Sequence, residues 1–214
     1  MARKIPHGEF RNKERTKLKL IQAVGEIIRT QGYTKLGVNR IADTAGVSKK
    51  LIYRYFGNAD KLIETYIRGE DYWMAFYDSL RQLADHKDDD YGKKTIEMTL
   101  KNLYEHMSNS QEAQKIILWE ISEKSQLMFE ICNDREKLGA TILAKMDPLF
   151  DKTDIDIRGI LALILGGIYY IVLHSNSTGG SFCEIENENR KNRISRSIET
   201  ILEWAYNEAE KQAK

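Results

Sequence analysis

Two prolines in 214 residues, Pro6 and Pro148, leave almost the whole chain free of the residue that helix interiors tolerate least. Apolar residues recur at helical spacing nearly throughout, and no strand-like alternation appears. The expected fold class is all-α, with about nine helices. Leu18, Ile21, Val24 and Ile28 make one stripe, which ends where Gly32 can cap a helix. A second long helix is expected from Asn58 through Leu62, Tyr66, Trp73, Phe76 and Leu83, up to the polar loop 85–92. Further helices are expected near 93–108, 111–120 and 122–146. A break carrying Pro148 follows, then an apolar helix near 155–174, a polar connection over 174–189 and a last amphipathic helix.

Composition removes several function classes. With 42% hydrophobic and 30% charged residues, the chain is neither disordered nor collagen-like. Cys132 and Cys183 have no CxxC spacing and no His partner nearby. They read as thiols of a reducing compartment, and the basic start lacks an apolar signal segment, so a cytoplasmic location is expected. The longest uncharged apolar run, Gly159 to Leu173, has 15 residues, whereas a bilayer span needs about 20. It is expected to be a core or interface helix, with no membrane partner. No glycine-rich phosphate loop, nucleophile elbow, HExxH motif or Cys/His cluster is present. His7, His86, His106 and His174 are scattered, and Asp88 to Asp90 sit in a loop. No enzyme activity, cofactor or metal is expected.

The net charge of +1 hides an asymmetry. Residues 1–68 hold 15 Lys/Arg against 6 Asp/Glu, and residues 69–214 hold 18 against 26. A basic head on an acidic body suggests that the head alone meets a polyanion. The expected domains are therefore 1–68 and 69–214.

Within the head, VNRIADTAGVSKKLIYRY (38–55) has the layout of two short helices around a tight turn. Ile41, Ala42 and Ala45 form the buried side of the first helix. Gly46 sits where the chain turns, because glycine reaches φ > 0 without steric cost. Val47 plugs the turn, and Ser48 is placed to cap the second helix. Ile52 and Phe56 face inward, while Lys49, Lys50, Tyr53 and Arg54 point elsewhere. This is a helix-turn-helix, whose second helix enters the DNA major groove. Lys49 and Lys50 oppose the helix dipole in that first turn, at a few tenths of a kcal/mol each, roughly. A docked anion gives them a reason.

The stretch resembles the DNA-binding domain of the TetR (tetracycline-repressor-like) family of bacterial regulators. Gly32-Tyr33, Ile41-Ala42, Ala45-Gly46-Val47-Ser48, Tyr53, Tyr55-Phe56 and Leu62 carry the resemblance over about residues 18–62. It implies an N-terminal three-helix DNA-binding domain, followed by a larger helical ligand-binding and dimerisation domain. It also implies a recognition helix over 48–55. Ser48, Lys49, Lys50, Leu51, Tyr53, Arg54 and Tyr55 on that helix, and Asn39 before it, match DNA-facing positions. Tyr53 would bond a phosphate, and Leu51 would touch a thymine methyl. Arg54 would read guanine or bind phosphate, and both stay open. Arg3, Lys4 and Arg11 lie on a basic leader that would reach adjacent phosphates. The sequence departs from the family at three positions. Gly37 stands where Thr or Ser usually caps, Lys50 stands at an often small position, and Ala59 replaces a phosphate-binding lysine for which Lys61 is the candidate substitute.

For the body, the resemblance implies a four-helix bundle formed by the last two helices of two subunits, binding a palindromic operator as a homodimer. The apolar character of 155–173 and the close approach allowed by Gly166-Gly167 agree with it. Leu163, Gly166, Gly167, Tyr170, Ile194, Ile198, Ile201 and Leu202 are the expected interface. The middle helices would enclose a pocket for a hydrophobic or aromatic effector, with Trp73, Phe76, Leu103, Met107, Trp119, Met128 and Tyr169 as its wall. A helical adaptor without sequence-specific DNA binding is the competing class. It explains the body, but neither the charge split nor the Ala-Gly-Val-Ser turn.

Overall fold

A computed structural model of the chain describes residues 7–75, 90–185 and 187–214. Among the described residues the regular structure is helical, with no strand beyond one isolated bridge between Phe182 and Ile185. The chain divides into two compact units, Met1–Asp71 with Lys115–Phe129, and Tyr72–Gln114 with Glu130–Lys214.

In the first unit, α1 (His7–Gln31) buries Leu20, Ala23, Val24, Ile27 and Ile28. The stripe is therefore turned from the expected one. Leu18 is 55% exposed, because a residue two positions from Leu20 lies on the opposite side of a helix. Gly32 ends α1 at φ 86, its N–H donating to the Ile27 carbonyl at 3.0 Å. A short 3-10 turn (Tyr33–Lys35) leads to α2 (Val38–Ala45) and α3 (Lys50–Phe56). Next comes α4 (Ala59–Glu70), whose first turn is capped by the Asn58 side chain accepting from Lys61 N at 2.8 Å. A Cβ on Gly25 of α1 would meet the Tyr66 ring at 2.6 Å, so glycine is what lets α1 and α4 approach. Instead of continuing to 83, α4 stops at Asp71, a buried residue in extended backbone. The segment Lys115–Phe129 adds Trp119, stacked on Tyr33 with ring centroids 5.2 Å apart and planes 6° from parallel. Lys115 donates to the Arg29 carbonyl at the end of α1.

The second unit begins with α5 (Tyr72–Ala75) and is organised by α6 (Lys93–Asn109). The helices expected near 111–120 and 122–146 are both present, with the break between them at 123–125. One helix, α7 (Gln111–Ser122), ends before Glu123, and α8 (Gln126–Leu143) starts afresh. Pro148 does not break the chain but sits in the first turn of α9 (Asp147–Phe150), where its missing N–H costs nothing. The apolar helix α10 (Ile157–Thr178) is capped by Asp156, which accepts from Gly159 N at 2.8 Å. It runs past the expected end to Thr178, and in that last stretch the Ser175 and Thr178 hydroxyls donate back to the carbonyls of Ile171 and His174. The last helix is α11 (Asn187–Gln212).

Both α10 and α11 pack on α6. Ile194, Ile198, Leu202, Ala205 and Tyr206 of α11 are buried, as are Ile96, Leu100, Leu103 and Tyr104 of α6. Ion pairs bind the two helices antiparallel along their length: Lys93–Glu203 at 2.5 Å, Lys101–Glu199 at 3.2 Å and Glu105–Lys191 at 2.5 Å. On α10, Leu161, Ile168 and Val172 form the buried stripe, while Leu163 is 79% exposed. At 22 residues α10 is long and apolar enough to cross a membrane, unlike the 15-residue run read from sequence, yet its stripe packs on α6.

Candidate nucleic-acid interface

The site is built by a turn. In α2, Ile41 and Ala42 are buried and Ala45 is half-buried. Gly46 adopts φ 64, ψ 36, the left-handed conformation that costs a side chain most and glycine least. Its N–H donates to the Asp43 carbonyl at 3.1 Å, and the Val47 N–H to the Ala42 carbonyl at 3.0 Å. The chain then reverses into α3, whose sole fully buried side chain is Ile52. With Ile52 as anchor, Lys49, Lys50, Tyr53 and Arg54 are all exposed, Tyr53 by 53%, while Leu51 and Tyr55 are half-buried.

One local expectation fails. Ser48 does not cap α3 with its hydroxyl, and no side chain does. The first turn closes through main chain instead. Leu51 N–H donates to the Ser48 carbonyl at 2.9 Å, and Ile52 N–H to the Lys49 carbonyl at 3.1 Å. No acidic residue stands in that turn, so its free amides and two lysines present positive potential to solvent.

The structure brings several of the expected DNA contacts together. Lys49 Nζ donates to Asn39 Oδ1 at 3.2 Å, joining the two helices of the motif at their exposed ends. Tyr55 lies under two cations, Lys13 and Arg54, each 5.8 Å from its ring centroid. Lys13, on α1, was missed by sequence reasoning, because only tertiary packing carries it to α3. Lys61 reaches Glu64 at 2.8 Å, and Glu64 also accepts from Arg68 at 2.9 Å. These two hydrogen bonds, Lys61 first, hold the Glu64 carboxyl below its ordinary range. Lys61, the candidate for the missing lysine at Ala59, is thus exposed but tethered. Arg3 and Lys4 lie outside the described residues.

Of the expected effector wall, Phe76 also lies outside the described residues. Trp119 and Met128 belong to the first unit, where Trp119 covers Tyr33. The rest are in the second unit. Trp73 Nε1 donates to the Tyr169 hydroxyl at 3.2 Å, and Tyr72 packs edge-on against Trp73 with centroids 5.5 Å apart. Leu103 and Met107 are buried on α6. His106, 5.4 Å from the Tyr72 ring, has its Nε2 buried without a hydrogen-bond partner among the described residues. Tyr72 donates to the Thr99 carbonyl at 3.0 Å, and burial pushes its phenol well up.

The expected interface residues divide. Ile194, Ile198 and Leu202 are buried inside the single chain against α6, so they are core rather than interface. Leu163, Gly166 and Tyr170 of α10 and Ile201 of α11 are exposed, and Gly167 is half-buried. Trp204, 69% exposed, is on the outer face of α11. No group of three or more His, Cys, Asp or Glu among the described residues is placed to hold a metal.

Residues 20–66 match the model of the bacterial regulatory proteins of the tetR family. Solved structures of similar fold include the following three. The fatty acid degradation regulator FadR of Bacillus halodurans is 16% identical, with 96% of this chain and 97% of that one covered at TM-score 0.61. The regulator FadR of Bacillus subtilis, in complex with stearoyl-CoA, is 18% identical, with 86% and 96% covered at TM-score 0.62. SmeT, in complex with triclosan, is 10% identical, with 87% and 91% covered at TM-score 0.64. No curated protein sequence matches the chain.

Proposed function

We propose, for a chain whose residues 20–66 match the model of the bacterial regulatory proteins of the tetR family, that it is a ligand-responsive transcriptional repressor. It binds a palindromic operator in the cytoplasm as a homodimer. The observation that carries the reading is α3, a short helix anchored by one buried residue that turns Lys49, Lys50, Tyr53 and Arg54 outward. Lysines and tyrosine fix position on phosphates, and a guanidinium can read guanine O6 and N7.

One such helix binds weakly, and a two-fold dimer lets two copies engage successive major grooves. The exposed apolar residues Leu163, Tyr170, Ile201 and Trp204 on α10 and α11 support a dimer face, since covering such side chains with a second subunit is favourable. Trp73, Tyr169, Leu103 and Met107 supply an aromatic and apolar wall for the effector. The stearoyl-CoA and triclosan complexes of similar folds support a hydrophobic effector. Effector binding releases DNA by stabilising a form of the dimer whose recognition helices no longer match the groove spacing.

The test is anisotropy of the full chain on a palindrome from its own promoter region and on random duplex. The palindrome is expected to bind more tightly, with log affinity falling with log salt at about −0.9 per phosphate neutralised. Arg54→Ala is expected to cost roughly 1–3 kcal/mol and to relax preference at one base position. Tyr53→Phe weakens all sites alike. Equal affinity for both duplexes at physiological salt overturns the reading.

A further inference from the structure

A cleft of about 300 Å³ opens between α6, α10 and α11, all in the second unit. Tyr104, Glu105 and Ser108 of α6 line it, with Asn176 of α10 and Arg190 and Lys191 of α11. None of these residues belongs to the Trp73–Tyr169 cluster or to the DNA-facing head.

The charges of this wall are not balanced by one another. Glu105 is engaged with Lys191 at 2.5 Å, so the carboxylate is spent on the lysine. Arg190 donates from Nη2 to the Gly180 carbonyl, at a long 3.4 Å. Its Nε is buried and has no hydrogen-bond partner among the described residues. A buried donor left unpaired is costly, and a guanidinium offers its donors in a fork that matches the two oxygens of a carboxylate or phosphate. The Tyr104 phenol feels the same cations. Burial, the largest influence, pushes it up and keeps the hydroxyl protonated, against the hydrogen bond to Ser108 and the charges of Arg190 and Lys191, which lower it.

We propose that this cleft is a binding site for the oxyanion group of a small molecule, a carboxylate or a phosphate. Arg190 is its anchor, and Tyr104, Ser108 and Asn176 are its neutral hydrogen-bonding partners. The site adds a polar ligand position to the unit and does not depend on the chain's binding DNA.

The experiment titrates the full chain with inorganic phosphate and, separately, with acetate at constant ionic strength. It follows Arg Nε–Hε signals by 15N-edited NMR, with Arg190 identified by the signal missing in Arg190→Lys. The expected result is a saturable shift of that signal, and of the Asn176 side-chain amide in the same cleft, with a millimolar dissociation constant; the Asn176 amide, which remains in Arg190→Gln, reports binding weakened about tenfold or more in that variant. Tighter phosphate identifies a phosphorylated ligand, and tighter acetate a carboxylate. Should Arg190→Gln fail to fold, Asn176→Leu on the exposed rim is expected to weaken binding as well. Binding unchanged by Arg190→Gln or, where that fails to fold, by Asn176→Leu overturns the site, as does an Arg190 signal that moves with neither anion.

Discussion

Residues 20–66 and the second unit are both built of helices, yet they differ in how tightly their residues are specified. In the head, Gly46 must take φ 64, Ile41, Ala42 and Ile52 must fill one small core, and the residues between them must meet a surface the protein does not control. Each demand names a residue type at a position. In the second unit, α6, α10 and α11 need only cover one another. Many apolar residues meet that demand provided their spacing is helical. A part shaped to a fixed external partner thus carries its function in individual residues, whereas a part shaped to itself carries only a period. The family match over 20–66, against 10–18% identity to the similar folds across the whole chain, follows from that difference.

The sharpest way to break the comparison is Trp119. Sequence spacing set it in an effector wall, but its ring lies flat on Tyr33 beside the head. Trp119→Ala empties a nearly fully buried site and is expected to cost about 3–5 kcal/mol. Amide exchange in α1 and α4 should then quicken by roughly two powers of ten or more. A double-mutant cycle with Tyr33→Ala should show a coupling of about 0.5–1.5 kcal/mol for the stacked pair. Unchanged exchange in α1 and α4 would mean that the head stands without Lys115–Phe129.

A second test asks what covers α10. A Cβ on Gly167 meets nothing within 4 Å, so the chain itself has room for a side chain there. Replacing glycine inside a helix gains up to about 1 kcal/mol of helix propensity. Gly167→Leu should therefore leave the dilute chain as stable as before or more so. At a dimer interface the same leucine holds two helices apart, and overpacking costs about 1–3 kcal/mol. Sedimentation across a concentration series is expected to show weakened dimerisation with the helical signal intact. A variant as dimeric as the parent moves the interface away from Gly167.

The sequence was most legible where backbone geometry demands a residue. The turn at Gly46, the buried trio Ile41, Ala42 and Ile52, the Asn58 cap and the close of α1 at Gly32 all follow from local rules. What was not legible is which neighbour covers an apolar stripe. Leu18 and Leu20 both fit a helical pattern, and only the approach of α4 and its neighbours decides that Leu20 is inside. Ile194, Ile198 and Leu202 were recognised as one stripe, but periodicity says that a stripe is covered, not that α6 covers it instead of a second subunit. The bonds of Lys49 to Asn39 and of Lys61 to Glu64 are not legible in the sequence, because side-chain partners depend on angles that spacing does not contain.

The smallest effect concerns Glu64, the acid that ties Lys61 and Arg68 in the head. Its pKa in the folded chain lies below the ordinary 4.5, with the Lys61 hydrogen bond the largest cause. Near that pH the unfolded chain binds more protons, so stability rises with pH there. The contribution is fully present above 4.5 and is lost as pH falls through the lowered folded value. Lys61 is mostly exposed, and solvent screening limits the whole contribution to about 0–1 kcal/mol. Glu203 in the second unit shifts in the same direction, so melting of the whole chain would mix the two. Amide exchange in α4 isolates the head. Its acid dependence should flatten in Glu64→Gln while that of α11 persists. The same variant unties Lys61, so if Lys61 reaches a phosphate, operator affinity should rise slightly and become steeper in salt. An unaltered salt slope would leave Lys61 a structural partner of Glu64, and the position of Ala59 without a substitute.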